Sequence, residues 1–407
     1  MASIKELSFY KDLNNNLYIY NLLDDKISTH IVSNDNTSLK QLSQINTNKS
    51  YYIFKRIPDS NYFVAVLRKE RNYWKIVSYE NDIEIMENIS IHKSHKILNV
   101  QCNNKYIAIL ASKCVNDYCK VSLFIYEIKY KNRELTINIV SDINIDPSLI
   151  EQKTEDENCN NYPIFSLNTY KRKNRAYDNV LVYAGEKPGW VMVYGWDQNF
   201  SEKSKAYFQA SSTSLSFLKL SDYGEYMITV DNKGNKIKIW GIMDDHLLQE
   251  YMSTFCEDLD WSKYQNLVIL KLERCNQNIN KDSNIAAIKI SSELSNYLMF
   301  PGSTEYNVVT DIIFSTDNKY VIILNNNKNV YIYNIANLIL ETQSSNWGWF
   351  NTNHYINMEI DSNNTYKIGT FNNNNLYIAT SDGKYIVYKF YDTLYQIKLI
   401  CNNSIFK

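Results

Sequence analysis

The sequence predicts an all-β propeller, a ring of small antiparallel sheets, and three observations predict it. First, residues 215 to 240, LSFLKLSDYGEYMITVDNKGNKIKIW, alternate apolar strands with polar turns at Gly224 and Gly234 and end on Trp240. Second, similar runs recur as DIIFSTDNKYVIILNNNKNVYIYNI from Asp311 and TYKIGTFNNNNLYIATSDGKYIVYKF from Thr365. Repetition of one strand-turn-strand unit is the mark of an array of blades. Third, helical signal is scarce, with no segment longer than about twelve residues showing clear 3.6-residue apolar periodicity.

Blade by blade, the landmark is a short alternating strand that ends on an aromatic or large apolar residue, because period-two alternation puts one face into each sheet-to-sheet interface. Such strands end at Tyr20, Tyr79, Tyr126, Tyr194, Trp240, Ile290, Tyr333 and Tyr388. Their spacing scatters around the WD40 period of about 40–45 residues, lengthened by loop insertions. The expected fold is therefore a seven-bladed WD40-type propeller, with an eighth blade left open. Ile290 is the weakest landmark, since it lacks a clean first strand and follows the polar insert Asn276 to Ser283. The first unit looks incomplete, with room for three strands between Ile4 and Ile31. A single domain over residues 1–407, closed by pairing of the N- and C-terminal strands, would remove the exposed sheet edges.

Composition supports one folded architecture. Apolar residues make up 44% and charged residues 21%, enough to bury a large core. Tyr, at 34, far exceeds Gly at 10 and Pro at 5, and Asn, Ile and Lys are abundant too. All four have A/T-rich codons, so gene base composition explains the bias, and tracts such as Asn372 to Asn375 read as solvated turns.

A net charge of -1 without long charge runs argues against binding driven by counterion release, so no nucleic-acid partner is expected. The seven cysteines form no disulfide framework, Met1 is followed by no charged-then-apolar leader, and no apolar run reaches membrane-span length. The expected location is cytoplasmic, with any membrane contact peripheral.

Catalytic and metal chemistry find little support. His92 and His95 share a loop or helix face without a completing Cys or carboxylate, and Cys114 and Cys119 flank a hairpin turn. Asp244, Asp245 and His246 follow a strand end, where turn-forming Asp is expected. Gly185 to Gly189 lacks the Gly-Lys-Ser/Thr order of a phosphate loop and reads as a hairpin. The expectation is a non-enzymatic interaction surface with no catalytic residue, no metal site and no cofactor.

Two surface features remain. Lys171, Arg172, Lys173 and Arg175, between Tyr170 and Tyr177, form the densest basic patch. It is either a solvated loop or a contact for anionic lipid or an acidic partner. The segment SSNWGWFNTNHY gathers Trp347, Trp349 and Phe350 around Gly348. It is either an inter-blade plug or a membrane- or partner-anchoring loop.

Several runs resemble the PROPPINs, the phosphoinositide-binding propellers of autophagy and endosomal membranes. NVQCNNKYIAIL from Asn99, with the strand Leu123 to Ile128, looks like their third blade. NVLVYAGEKPGWVMVYGW from Asn179 is similar to the fourth, GNKIKIWGIMDDHLLQEY to the fifth, and NNNNLYIATSDGKYIVYKF to the last. The resemblance implies a Phe-Arg-Arg-Gly signature after Glu250, whose arginines each serve a lipid headgroup pocket. Here the four positions hold Tyr251, Met252, Ser253 and Thr254. Met and Ser cannot hold phosphate oxygens in a bidentate fork. Lys233 is the nearby residue that, with the 171 to 175 patch, would have to rebuild a pocket.

The resemblance implies an adaptor in autophagy or membrane trafficking that keeps protein partners, through a surface near Val100 to Tyr126, but binds phosphoinositide membranes poorly. In that case the loop at Trp347 would be the one that enters the bilayer. The alternative is a WD40 scaffold subunit of a larger protein or ribonucleoprotein complex with no membrane role.

Overall fold

The computed structural model describes residues 6–11, 17–22, 26–32, 39–46, 51–60, 62–67, 70–80, 83–84, 87–90, 95–115, 118–131, 134–145, 165–172, 177–185, 187–201, 203–231, 237–244, 267–270, 309–315, 317–325, 329–334, 354–357, 366–372, 375–380, 384–391 and 396–404. Every regular element among them is a β-strand.

In chain order the first strands are β1 (Glu6–Lys11), β2 (Leu17–Leu22), β3 (Lys26–Val32), β4 (Leu39–Asn46), β5 (Tyr51–Arg56), β6 (Tyr62–Leu67), β7 (Tyr73–Glu80), β8 (Ile83–Glu84), β9 (Glu87–Ser90), β10 (Lys96–Cys102) and β11 (Tyr106–Val115). There follow β12 (Tyr118–Lys131), β13 (Glu134–Ile145), β14 (Phe165–Leu167), β15 (Asn179–Ala184), β16 (Trp190–Trp196), β17 (Lys203–Gln209), β18 (Leu215–Leu220), β19 (Tyr226–Asp231), β20 (Ile237–Asp244) and β21 (Leu267–Leu270). The last are β22 (Val309–Phe314), β23 (Tyr320–Asn325), β24 (Asn329–Asn334), β25 (His354–Asn357), β26 (Tyr366–Asn372), β27 (Asn375–Thr380), β28 (Lys384–Tyr391) and β29 (Gln396–Ser404).

The chain divides into two compact units, one of Met1–Cys119, Thr310–Tyr333 and Thr352–Lys407, the other of Lys120–Val309 and Asn334–Asn351. In the first unit, β1 to β4 form one sheet, β5 to β8 with β9 on β7 another, and β26 to β29 a third, while β10 and β11 pair antiparallel. The sheet of β22 to β25 also belongs to it apart from Val309 and Asn334. In the second unit, β12 pairs antiparallel with β13, β14 to β17 form one sheet, and β18 to β21 form another whose last strand is parallel to β20.

Sheets of consecutive strands joined by tight turns are what the alternating runs predict. Seven landmarks fall in strands: Tyr20 in β2, Tyr79 in β7, Tyr126 in β12, Tyr194 in β16, Trp240 in β20, Tyr333 in β24 and Tyr388 in β28. Ile290 lies outside the described residues. The first unit of the repeat is not incomplete: β1 to β4 supply four strands, because β4 uses a segment beyond Ile31. Among the described residues β1 bonds to β2 and β29 to β28, so each terminal sheet is built from its own consecutive strands.

One irregularity repeats. The first strand of a sheet carries an extra residue near its start: Tyr52 in β5, Leu98 in β10, Ser216 in β18 and Lys367 in β26. A bulge of this kind raises local twist and re-aims the following side chains. In β18 the bulged Ser216 hydroxyl donates to the Asp231 carbonyl at 2.6 Å. The turn after that strand also repeats. Ser221 and Ser315 each accept, through the side-chain oxygen, the backbone N–H of a tyrosine five residues on, Tyr226 at 3.1 Å and Tyr320 at 2.9 Å. Asn103 accepts likewise from the backbone N–H of Tyr106, three residues on, at 2.8 Å.

Burial follows from position in the sheet. All of β15 is buried, so NVLVYA reads as a continuous apolar run, whereas the terminal strand β17 alternates, burying Ser204, Ala206 and Phe208 and turning Lys205 and Gln209 outward. In the second unit, Val180, Val182, Val193, Phe208, Leu218 and Trp240 belong to one apolar cluster shared by consecutive sheets. Trp240 packs against Phe208 with the ring planes tilted and the centroids 4.7 Å apart, and its indole N–H donates to the Thr229 hydroxyl at 3.0 Å.

Candidate functional site

The sequence-derived basic patch lies in the second unit, between β14 and β15, where the turn chemistry of two sheets meets. Asn168, fully buried, organises it. Its carbonyl oxygen accepts from the Val180 N–H at 2.8 Å, while its amide donates to the carbonyls of Tyr170 at 2.8 Å and Asp178 at 3.1 Å. A short amide that replaces three backbone partners holds the loop shut. The neighbouring turn of β18 and β19 docks on it: the Thr169 hydroxyl donates to the Asp222 carboxylate at 3.2 Å, Tyr170 N–H to the Asp222 carbonyl at 2.9 Å, and the Tyr170 and Tyr223 rings lie 5.5 Å apart. Gly224 closes this turn at φ +67, with its missing Cβ facing Asn168.

On this scaffold the basic residues separate. Lys171 is exposed and pairs with Asp178 at 3.0 Å. Arg172 is only 1% exposed: its guanidinium donates to the Ile242 carbonyl of β20 at 3.0 Å, and its backbone N–H to the Asp178 carbonyl at 3.2 Å. The four residues are thus not one surface patch. Arg172 is drawn inward because the β20 carbonyl lies within its reach. Lys173 and Arg175 lie outside the described residues. So do Lys233, the signature positions Tyr251, Met252, Ser253 and Thr254, and the aromatic segment with Trp347, Trp349 and Phe350.

The stretch expected to carry a partner surface, Val100 to Tyr126, is mostly interior. Tyr106 to Ser112 and Val121 to Tyr126 are buried, and Asn104 and Lys120 are among its outward positions. Strands buried on both faces leave only turns and edges for a partner.

Other expected features take plain structural places. Gly185 to Gly189 is the hairpin loop between β15 and β16, with Gly189 at φ +76. Cys114 lies in β11 and Cys119 in β12. His30 is buried in β3, and burial pushes its imidazole pKa below the ordinary 6.5. Among the described residues no group of three or more His, Cys, Asp or Glu side chains is placed to hold a metal ion, and no helix is long and apolar enough to cross a membrane.

Solved structures place the chain. Kluyveromyces lactis Hsv2 with its complete loop 6CD superposes with a TM-score of 0.60 at 11% identity, covering 100% of both chains. The fold is a PROPPIN-like WD40 β-propeller. KlAtg21, solved as a complex with the coiled coil of AgAtg16, gives 0.60 at 15% identity over 99% of each chain, and Kluyveromyces marxianus Hsv2 gives 0.60 at 9% over 100% of both. No family model matches, and no curated protein matches in sequence. At such identities the propeller is preserved by apolar alternation and turn chemistry rather than by particular residues.

Within this propeller, reading the sequence alone missed Asn168, Asp178 and Asp222, which decide where the basic residues point. The SDYG turn carried the signal for Asp222, since Asp in a turn bonds locally. Asn168 carried none, being one asparagine among many.

Proposed function

We propose that the chain is a single seven-bladed, PROPPIN-like propeller acting as a non-enzymatic adaptor in autophagy or endosomal membrane trafficking, with phosphoinositide binding weak or lost. The strands fall in sequence into seven runs, each fit to make one blade, which supports the blade count. The observation that carries the lipid half of the reading is the sequence Tyr251-Met252-Ser253-Thr254 where Phe-Arg-Arg-Gly is implied. The inward turn of Arg172 supports it further, because a guanidinium committed to the Ile242 carbonyl is not offered to a headgroup.

A protein partner remains the main activity of such an adaptor. KlAtg21 was solved with a coiled coil, and an elongated helical partner of that kind is the class we expect here. Any membrane association of this cytoplasmic protein is then peripheral and secondary, served by the Trp347, Trp349 and Phe350 segment.

Vesicle co-sedimentation tests the lipid reading. The expected result is weak pelleting that does not rise when a phosphorylated inositol lipid is added; strong, lipid-specific pelleting would overturn it. The rival, a WD40 scaffold subunit without membrane role, gains if the native protein co-purifies in a stable complex whose members have no membrane association.

A further inference from the structure

We infer that the outward face of β17, together with the β15–β16 hairpin, is a docking site for an extended acidic polypeptide segment. The inference is independent of the lipid signature and of the family likeness.

The strand β17 ends its sheet, and its outward residues are Lys203, Lys205, Tyr207 and Gln209. Across the ladder they face Trp196, Tyr194, Met192 and Trp190. Each lysine of this face rests on an aromatic ring. The Lys203 ammonium lies 4.2 Å from the Phe200 ring centroid, Lys205 lies 5.2 Å from Tyr194, and Lys187 of the hairpin lies 5.5 Å from Trp190. None of the three has an acidic partner among the described residues. Elsewhere the exposed lysines at 129, 171 and 319 do pair with carboxylates. A ring beneath an ammonium holds it in place and leaves its outer hydrogens for a further acceptor.

The arrangement is also held rigidly. Phe200 sits at φ +59, an uncommon conformation for a phenylalanine, at the end of a turn in which Asp197 accepts the Ser201 N–H at 2.7 Å and the Ser201 hydroxyl at 2.6 Å. Its ring packs 5.4 Å from Trp196 and 6.0 Å from Tyr194. At the other end Trp190 and Tyr207 pack 4.7 Å apart and leave a half-buried aromatic surface. Strain of this kind is kept only where surroundings fix it, and here it fixes the ring under Lys203.

The spacing favours an extended peptide. Lys203 and Lys205, two residues apart on one face, place their charges roughly 6.6 Å apart, the repeat of alternate side chains on a β-strand. A partner strand with Asp or Glu at every second position matches both ammonium groups in register, and Trp190 with Tyr207 offers an apolar seat beyond them. A membrane surface has no such period.

The test uses the full chain and a fluorescent peptide about ten residues long with glutamate at alternate positions, read by anisotropy. Binding is expected, weakening as salt rises, and the double variant K203E/K205E is expected to lose it by about tenfold or more. A circular dichroism melt checks that the variant folds. A peptide of the same composition with its glutamates in one block should bind several-fold more weakly. Equal binding of the blocked peptide, unchanged binding by the double variant, or no peptide binding at all would overturn the inference. So would pelleting of the chain with phosphatidylserine vesicles in the absence of peptide binding, which would make the face a membrane contact.

Discussion

Arg172 and Ile242 are joined by a hydrogen bond of 3.0 Å from guanidinium to backbone carbonyl, across seventy residues of sequence. The bond ties the loop after β14 to β20, the strand that leads toward the degenerate signature. A residue that reads as surface charge is therefore a structural strut.

The contrast with its neighbour makes the first prediction. Arg172→Met keeps most of the packing but leaves the Ile242 carbonyl without its donor, and should lower stability by about 1.5–3 kcal/mol. Lys171→Met removes an exposed pair with Asp178 and should cost less than about 1 kcal/mol. Urea midpoints of the two variants measure the difference. Equal midpoints would return Arg172 to the solvated loop.

The second prediction concerns two turns. Gly224→Ala forces a Cβ to φ +67 and to 3.1 Å from the Asn168 Cβ, so about 1–3 kcal/mol of destabilisation is expected. Gly189→Ala drives a Cβ into the backbone carbonyls of Ser211 and Thr213 at φ +76, where nothing can give way cheaply, and should cost more, about 3–5 kcal/mol. Gly224→Asn should fall closer to wild type than Gly224→Ala, because asparagine tolerates this backbone region. Thermal denaturation of the three variants sets the order.

These positions also mark what could be read in the sequence. Gly224 and Ser221 announce their turn locally, by residue type and spacing, and so do the strands around them. Tyr194 and Trp240 are recognisable because period-two alternation is a property of a few consecutive residues. Arg172 is not, since its burial depends on a carbonyl supplied by a distant strand. The same holds for the first sheet, where β4 continues past Ile31 through a polar sequence, LKQLSQIN, that carries little alternation of its own. Lys203, Lys205 and Tyr207 do alternate in the sequence. That pattern gives no sign that Phe200, held in its turn, would lie beneath the first lysine.

The third prediction follows from His30. Burial lowers its pKa below 6.5, so in the unfolded chain the ring takes a proton at a higher pH than in the folded one. The stability present at neutral pH is lost as pH falls below about 6.5 toward the folded pKa, and the loss levels off beyond it. Denaturant midpoints between about pH 7 and pH 5 should fall for the wild type and fall less for His30→Gln. Parallel slopes for the two proteins would show that His30 does not contribute.

At the alkaline end the sign reverses, and Tyr377 carries the last prediction. It is 2% exposed, beside Tyr385 at 6.3 Å, and burial raises its pKa to about 12 against a weaker opposing hydrogen bond from Asn375. The unfolded chain releases this proton near pH 10, so stability present below that pH is lost as pH rises toward 12. The expected loss is about 1 kcal/mol by about pH 11. Burial raises the Tyr388 pKa too, so Tyr377→Phe should reduce the alkaline slope without abolishing it. The check is the difference in denaturant midpoint between about pH 9 and pH 11 for both proteins, with the phenol–phenolate absorbance change placing the ionisation. If the absorbance shows a buried tyrosine ionising near pH 10 while the fold persists, Tyr377 is not held in the protonated form by burial.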